Sequence, residues 1–338
     1  MYVCFWRKRG TVARSAPRLR DPGHMARVAG ADRHSSRHGP ASGNPSMQAI
    51  VQHNWRIAEQ PTSRLLLACP DRPGLIAAVS GFLAEAGLNI VDADQHSSGE
   101  GRLFMRMVFD PAPDGEREAL YRRFEEEVAG PLEMDHRFAE STERKRLAIM
   151  VSREDHCLSD LLWRWRSGEL GAEVTSVVSN HPDHADQVTS LGLPFHHVPV
   201  EAGAKPEAER QIVELLGEVD LLVLARYMQV LSADFLGELG APAINIHHSF
   251  LPAFVGADPY RRAHERGVKL FGATAHYVTE ELDAGPIIDQ DVTRVSHRDE
   301  VEDLMRIGRD IERLVLARAV KAHIDDRVLL DGDRTIVF

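Results

Sequence analysis

The stretch Leu221-Leu222-Val223-Leu224-Ala225, bracketed by Asp220 and Arg226, holds five apolar residues in a row with no polar alternation. A strand with one wet face alternates and an ordinary helix runs longer, so a short unbroken apolar run reads as a strand buried on both faces. Strand-like runs recur at 147–151, itself unbroken, and at 174–178, 195–199 and 243–246, with helix-like segments between them. Strands spaced this way imply parallel pairing through crossover helices, and hence a Rossmann-like, mostly parallel α/β sheet over residues 145–338. Open parallel sheets bind ligands beyond the carboxyl ends of their strands, so the residues that follow each run are the ones of chemical interest.

Upstream of the polar stretch Glu140-Ser141-Thr142-Glu143-Arg144-Lys145 the pattern changes. Leu65-Leu66-Leu67-Ala68-Cys69 is strand-like and halts at Pro70-Asp71-Arg72-Pro73-Gly74. Leu75, Ile76, Val79, Phe82 and Leu83 then recur at helical spacing, and Gly87 stands where a helix stops. Strands are expected over 89–96 and 102–109, joined by Ser97-Ser98-Gly99-Glu100-Gly101, followed by a charged helix over 116–128 and a strand over 132–138. The order β-α-β-β-α-β over residues 64–140 is that of a ferredoxin-like α+β unit.

Residues 1–63 are rich in Arg, Ser, Gly and Pro, show no sustained apolar period, and contain methionines at Met25 and Met47. They are expected to be disordered, as a genuine tail or as the product of an upstream start codon; a transit peptide ranks behind both, because the prolines and glycines make a poor amphipathic helix. This segment holds ten Lys and Arg against three Asp and Glu, leaving 30 against 48 for the rest of the chain. So acidic a remainder argues against a nucleic-acid partner, which needs a basic face. No run approaches the ~18 apolar residues of a membrane span. Cys4, Cys69 and Cys157 are too far apart for a metal pair and too few for a disulfide framework, which points to a reducing, cytoplasmic setting.

The densest chemical signal is Ile244-Asn245-Ile246-His247-His248-Ser249-Phe250-Leu251-Pro252, followed by Gly272-Ala273-Thr274-Ala275-His276 and Asp283-Ala284-Gly285-Pro286-Ile287-Ile288. Alternation puts Asn245 and His247 on one face of a strand end, with His248 turned away. An amide N–H beside an imidazole can hold the oxygen of a tetrahedral intermediate, and a carboxylate such as Asp283 can orient the imidazole or an attacking water. His247, His248, His276 and His297 could ligate zinc, but none has finger or His-Glu-x-x-His spacing, so no metal is expected. His196, His197 and His264 read as surface or partner-satisfied residues.

These segments, in this order and spacing, resemble the folate-dependent formyltransferase family, with Asn245, His247 and Asp283 matching its catalytic Asn, His and Asp. Arg226-Tyr227-Met228-Gln229-Val230-Leu231 is similar to that family's pterin-pocket segment, so the resemblance implies substrate contacts from Arg226, Tyr227, Met228, Val230 and Leu231, and from Gly285. Arg226 could also be a plain solvated charge. Asp71-Arg72-Pro73-Gly74-Leu75-Ile76 with Asn89-Ile90 resembles an ACT domain, which implies an amino-acid effector, glycine or methionine, near Gly74 and Asn89, and a homo-oligomer.

Glycinamide ribonucleotide transformylases carry a glycine-rich phosphate loop after the first strand, whereas this chain has Ser152-Arg153-Glu154-Asp155-His156-Cys157-Leu158. Methionyl-tRNA formyltransferases append an RNA-binding barrel, for which the residues after Asp283 leave little room. The Ser-x-Glu-Asp-His-Cys-Leu pattern joined to an ACT-like unit resembles formyltetrahydrofolate deformylases. Such a hydrolase, acting on a non-peptide C–N amide bond, would cleave 10-formyltetrahydrofolate with water to tetrahydrofolate and formate, feeding the one-carbon pool and purine synthesis, with folate as substrate and no cofactor. One departure is Asp258, where relatives tend to carry a basic residue; a reversed charge there would weaken capture of the folate glutamate tail.

Overall fold

In β1 (Ser63–Pro70), every second side chain meets one of two cores, and this strand is the spine of the first sheet. A computed structural model describes residues 61–201, 203–252 and 259–338. Asp258 and the segment 1–60, with Cys4 and both early methionines, lie outside the described residues. After β1 come α1 (Leu75–Glu85), β2 (Ile90–Ser97), β3 (Arg102–Phe109), α2 (Arg117–Phe124) and β4 (Asp135–Glu140), and the sheet order β2-β3-β1-β4 is antiparallel throughout. Leu65, Leu67, Met105, Met107 and Phe109 face Leu75, Val79, Phe82, Leu83 and Phe124 of the two helices. That is the ferredoxin-like unit expected from the sequence.

Three boundaries differ from expectation. The first strand starts at Ser63, one residue before the unit's expected start at 64, and the Ser63 hydroxyl bonds Glu140 on the neighbouring strand. The charged helix ends at Phe124 and continues as a single π turn, Glu125–Ala129, with Gly130 N–H reaching Glu125 O over 2.9 Å. The chain then turns through Glu133 at φ 54, so the last strand begins at Asp135 and not at Leu132. Such a turn depends on backbone geometry that apolar periodicity does not encode.

The second sheet is assembled from β5 (Arg146–Val151), α3 (His156–Ser167), β6 (Glu173–Ser179), α4 (Ala185–Ser190), β7 (Phe195–His197), α5 (Lys205–Leu216), β8 (Leu221–Ala225), α6 (Ala233–Leu239), β9 (Ala243–His247), α7 (Pro259–Arg266), β10 (Leu270–Tyr277), β11 (Ile287–Arg294) and α8 (Val301–Ile324). Its order is β11-β10-β9-β8-β5-β6-β7, parallel from β9 to β7 and antiparallel at β10 and β11. β7 is shorter than the expected 195–199, since it is an edge strand that runs toward Pro199, which has no N–H for a ladder. The central runs are buried on both faces. Ile149, Val223, Ile244 and Ile246 share a core with Val315, Ala319 and Val320 of α8, while Met150, Leu222, Leu224 and Ala243 pack with Ile212 of α5 and Phe235 of α6.

A hairpin of β12 (Val328–Asp331) and β13 (Arg334–Val337) closes the chain. Just before it, Asp326 joins the two sheets, which belong to one unit spanning Pro61–Phe338. Its carboxylate lies 3.0 Å from Arg64 of β1, 2.5 Å from Arg137 of β4 and 2.6 Å from Lys145, and its carbonyl accepts Arg106 Nε of β3 at 3.0 Å. Leu66, Ala68, Phe104 and Val108, on the same face of the first sheet as these arginines, are buried too.

Candidate active site

β8 ends at Ala225, and the backbone leaves the sheet in a left-handed conformation at Arg226 (φ 65) and again at Met228 (φ 58). A non-glycine residue there is strained by about 1–2 kcal/mol and persists only where its surroundings hold it. Ser152, at the carboxyl end of the neighbouring β5, supplies that hold. Its N–H donates to Arg226 O at 3.2 Å and its hydroxyl to the Tyr227 carbonyl, while His184 bonds Ser152 O at 2.9 Å.

Arg226 is directed inward to Glu312 of α8, a carboxylate with no solvent exposure. Glu312 Oε2 lies 2.8 Å from His156 Nε2 and 3.5 Å from Arg226 Nε, and Oε1 accepts the Tyr260 hydroxyl. Burial alone would raise the Glu312 carboxyl; the His156 hydrogen bond and the Arg226 charge more than reverse this and hold it below the ordinary range. His156, Cys157 and Glu312 place ligand-type atoms within 4.8 Å of one another, yet both Glu312 oxygens already have donors and burial pushes the Cys157 thiol well up. Although His156 Nδ1 has no hydrogen-bond partner, a cation here would displace the bonds that Glu312 already accepts.

β9 brings Asn245 and His247 to one face, and the antiparallel register sets Asn245 opposite His276 and His247 opposite Thr274 on β10. Asn245 Nδ2 lies 3.3 Å from His276 Nε2. Thr274 is fully buried and ties down the turn after β9: its hydroxyl donates to Ser249 O and accepts from Leu251 N–H and Gln290 Nε2, all within 3.0 Å. From the loop between β10 and β11, Asp283 (φ 56) sets Oδ2 3.2 Å from His247 Nδ1 and Oδ1 3.7 Å from His276 Nε2. Burial would raise the Asp283 carboxyl, but its bond to His247 and the imidazoles around it bring it below the ordinary value.

With Nδ1 turned to a carboxylate, His247 presents Nε2 on the other side of the ring, buried and with no hydrogen-bond partner. A buried polar atom without a partner carries a penalty of about 1–3 kcal/mol, so its persistence marks a place where a ligand atom belongs. An amide N–H, an imidazole with an open nitrogen and an ionised carboxylate, converging at a strand end, form a set able to bind an oxyanion and move a proton.

The comparisons with known proteins agree with this chemistry. A family model described as formyl transferase matches residues 145–320, and one described as ACT domain matches residues 63–126. The chain is 58% identical over 279 residues to the formyltetrahydrofolate deformylase of Mycobacterium tuberculosis (strain ATCC 25618 / H37Rv), covering 81% of this chain and 90% of that one. The chain belongs to the formyltetrahydrofolate deformylase family. The deformylase of Bacillus subtilis (strain 168) is 49% identical over 288 residues, covering 84% and 96% of the two chains. The crystal structure of a formyltetrahydrofolate deformylase from Pseudomonas syringae pv. tomato str. DC3000 is similar with a TM-score of 0.81 at 46% identity, covering 86% of this chain and 99% of that one.

Within this deformylase fold, the residues singled out from sequence fall into two groups. Asn245, His247 and Asp283 come together. In the segment Arg226–Leu231 only Met228 and Val230 offer exposed apolar side chains, at 58% and 52% exposure. Tyr227 and Leu231 are a correction: their side chains are buried in the core on the α5–α6 side, so they anchor the segment and leave only backbone for a ligand. Arg226 is no solvated charge. Gly285 has a steric role, since a Cβ there would sit 1.8 Å from Tyr277 O, and a side chain would drive apart the loop that carries Asp283. Gly74 and Asn89 do not meet within one protomer; α1, with 11 residues and so about 16 Å long, lies between them.

His248 is a further correction to simple alternation, because the strand ends at His247. Its ring lies 5.3 Å from that of His247 and stacks on Tyr260, and burial, with Arg226 nearby, lowers it to about 3. Sequence reading missed Thr274, Gln290, Tyr260 and Glu312 as site residues. The Gly-Ala-Thr-Ala-His segment held one retrievable signal, a polar Thr274 two positions before His276 on the same strand face.

Proposed function

We propose that this chain hydrolyses 10-formyltetrahydrofolate to tetrahydrofolate and formate, with Asn245, His247 and Asp283 as the reacting constellation. The observation that carries the assignment of residues is the His247–Asp283 pair, which leaves His247 Nε2 buried and open on the strand that also carries Asn245. The pterin would rest on Met228 and Val230 with its N10-formyl carbon between Asn245 and His247. A water held by the second oxygen of Asp283 attacks that carbon and passes a proton to the carboxylate. The oxyanion accepts N–H bonds from Asn245 and from protonated His247, which Asp283 orients through Nδ1. Collapse breaks the C–N10 bond and returns a proton to N10, leaving tetrahydrofolate and formate. No cofactor enters these steps, since the folate is itself the substrate. Formate released in this way would adjust the one-carbon pool that purine synthesis draws upon.

The ACT unit supports an effector reading at the coarser level that such a domain is present. The finer reading is that glycine or methionine binds near Gly74 of one copy and Asn89 of another, within a homo-oligomer. β2 is an edge strand exposed along most of its length, Val91 included, and is available to pair with a second chain. Among the described residues no helix is long and apolar enough to cross a membrane, and Cys69 and Cys157 are free and buried, as suits a cytoplasmic enzyme.

Incubation of the purified protein with 10-formyltetrahydrofolate and no added acceptor should yield formate and tetrahydrofolate in equal amounts. Turnover that appears only when an amine acceptor is supplied would replace the hydrolase by a transferase.

A further inference from the structure

Both nitrogens of His276 are engaged, and the partners dictate which one carries the proton. Nδ1 lies 2.9 Å from the Tyr277 carbonyl oxygen, which can only accept, so Nδ1 bears the hydrogen. Burial, opposed by the Tyr277 carbonyl bond and by Asp283, lowers the ring's basicity and keeps it neutral, which leaves Nε2 a bare lone pair. The 3.7 Å between Nε2 and Asp283 Oδ1 is too long for a hydrogen bond and requires no second proton. Nε2 therefore accepts from the group opposite it on β9, Asn245 Nδ2, 3.3 Å away.

The terminal torsion of an asparagine is broad and roughly two-fold, so its carbonyl and amino ends exchange places at little cost unless a neighbour discriminates between them. A lone pair at His276 Nε2 does discriminate: it attracts the amino end and repels the carbonyl end. One N–H of Asn245 is thus committed to His276, and the planar amide aims the other away from it.

We propose that His276 is a positioning residue for the reaction, acting through Asn245 by holding its carboxamide so that an N–H, and not the carbonyl, meets the developing oxyanion. This rests on Asn245 being the oxyanion donor. Without His276 the amide populates both orientations, and the flipped one sets a carbonyl oxygen against the oxyanion.

The test is a cycle of wild type, His276→Ala, Asn245→Ala and the double variant, with His276→Gln as the conservative replacement whose Oε1 can accept in place of Nε2. Loss of an oxyanion donor costs about 10²–10³ in kcat. His276→Ala is expected to lower kcat about 10–100-fold with KM within about two-fold, a range bounded by that full loss. His276→Gln should recover most of it. In the Asn245→Ala background, His276→Ala should change kcat by less than about two-fold, because nothing remains for it to position. An equal drop in both backgrounds overturns the proposal. An active His276→Ala beside a crippled Asn245→Ala overturns the positioning role alone, whereas a fully active Asn245→Ala removes the reading beneath it. Should the alanine variant fail to fold, ¹⁵N spectra of the wild-type imidazoles still decide: the proposal requires His276 to be the neutral Nδ1–H tautomer, and an Nε2–H signal overturns it.

Discussion

Asp283 and Asp326 are buried carboxylates in nearly the same left-handed backbone, φ 56 and φ 55, yet their surroundings differ in kind. Asp326 is met by Arg64, Arg137 and Lys145 within 3.0 Å. Burial alone would raise its carboxyl; the three cations reverse that and take it down to about 2. Lys145, crowded by burial and by Arg137 and Arg64, falls to about 8, so in this group the carboxylate holds its charge more firmly than the lysine does. Asp283 is met by imidazoles, at 3.2 and 3.7 Å, and the partner it holds keeps an open nitrogen. A carboxylate surrounded by two arginines and a lysine has its oxygens taken up in holding two sheets together. One paired with an imidazole whose far nitrogen is left open keeps a place for chemistry.

The widest separation should come from removing each charge. Asp283→Asn, like His247→Ala, should lower kcat at least ~100-fold, the scale of losing positioned acid or base help, while shifting thermal unfolding by only a few degrees. Asp326→Ala leaves three cations facing a vacated buried site and should cost about 3–5 kcal/mol of stability, with kcat per folded molecule unchanged. Denaturant melts alongside kcat on the same preparations check both halves. Loss of activity in a fully stable Asp326→Ala would erase the distinction.

Acid sharpens the comparison. Because the Asp326 carboxyl is depressed in the folded state, from 3.8 to about 2, its stabilisation is complete above pH 4 and is lost as pH falls toward 2. At 1.36 kcal/mol per pKa unit that amounts to about 2 kcal/mol. Stability measured between pH 5 and 2 should fall more steeply in wild type than in Asp326→Asn; parallel curves would show that this carboxylate does not carry the acid limb.

Gly285→Ala probes the chemical side without touching a charge. The added methyl would overlap Tyr277 O, and the backbone shift required costs about 1–3 kcal/mol. Since the same loop places Asp283, kcat should drop about ten-fold, one decade for each 1.4 kcal/mol of misplacement. Undiminished turnover would mean that the loop tolerates the shift and that Asp283 needs no such exact placement. The smallest effect belongs to Met228→Ser and Val230→Ser. Each loses about 1–2 kcal/mol of apolar contact with a bound pterin, which should raise KM about 5–30-fold at constant kcat. An unaltered KM in both would move the pterin off this segment.

Much of the molecule follows from local pattern. Unbroken apolar runs announced β5 and β8, because a strand buried on both faces has no wet side to alternate with, and period-two geometry alone joined Asn245 to His247 in β9. The turn chemistry at Pro73 and Gly74, with Gly74 at φ 96, likewise marked the entry to α1. What local pattern could not contain is which distant residues would face the site. His276 reaches Asn245 only through the β9–β10 register, which is decided by long-range packing of the sheet. Glu312 lies 86 residues beyond Arg226 in the middle of α8, and nothing in its helical surroundings marks it as the partner of a buried arginine; the packing of α8 across the sheet brings them together. Tyr227 and Leu231 make the same point in reverse. Their motif placed them beside a ligand, but burying two large apolar side chains, each a matter of ~1.5–3 kcal/mol, turned them into the core and left the exposed positions to Met228 and Val230.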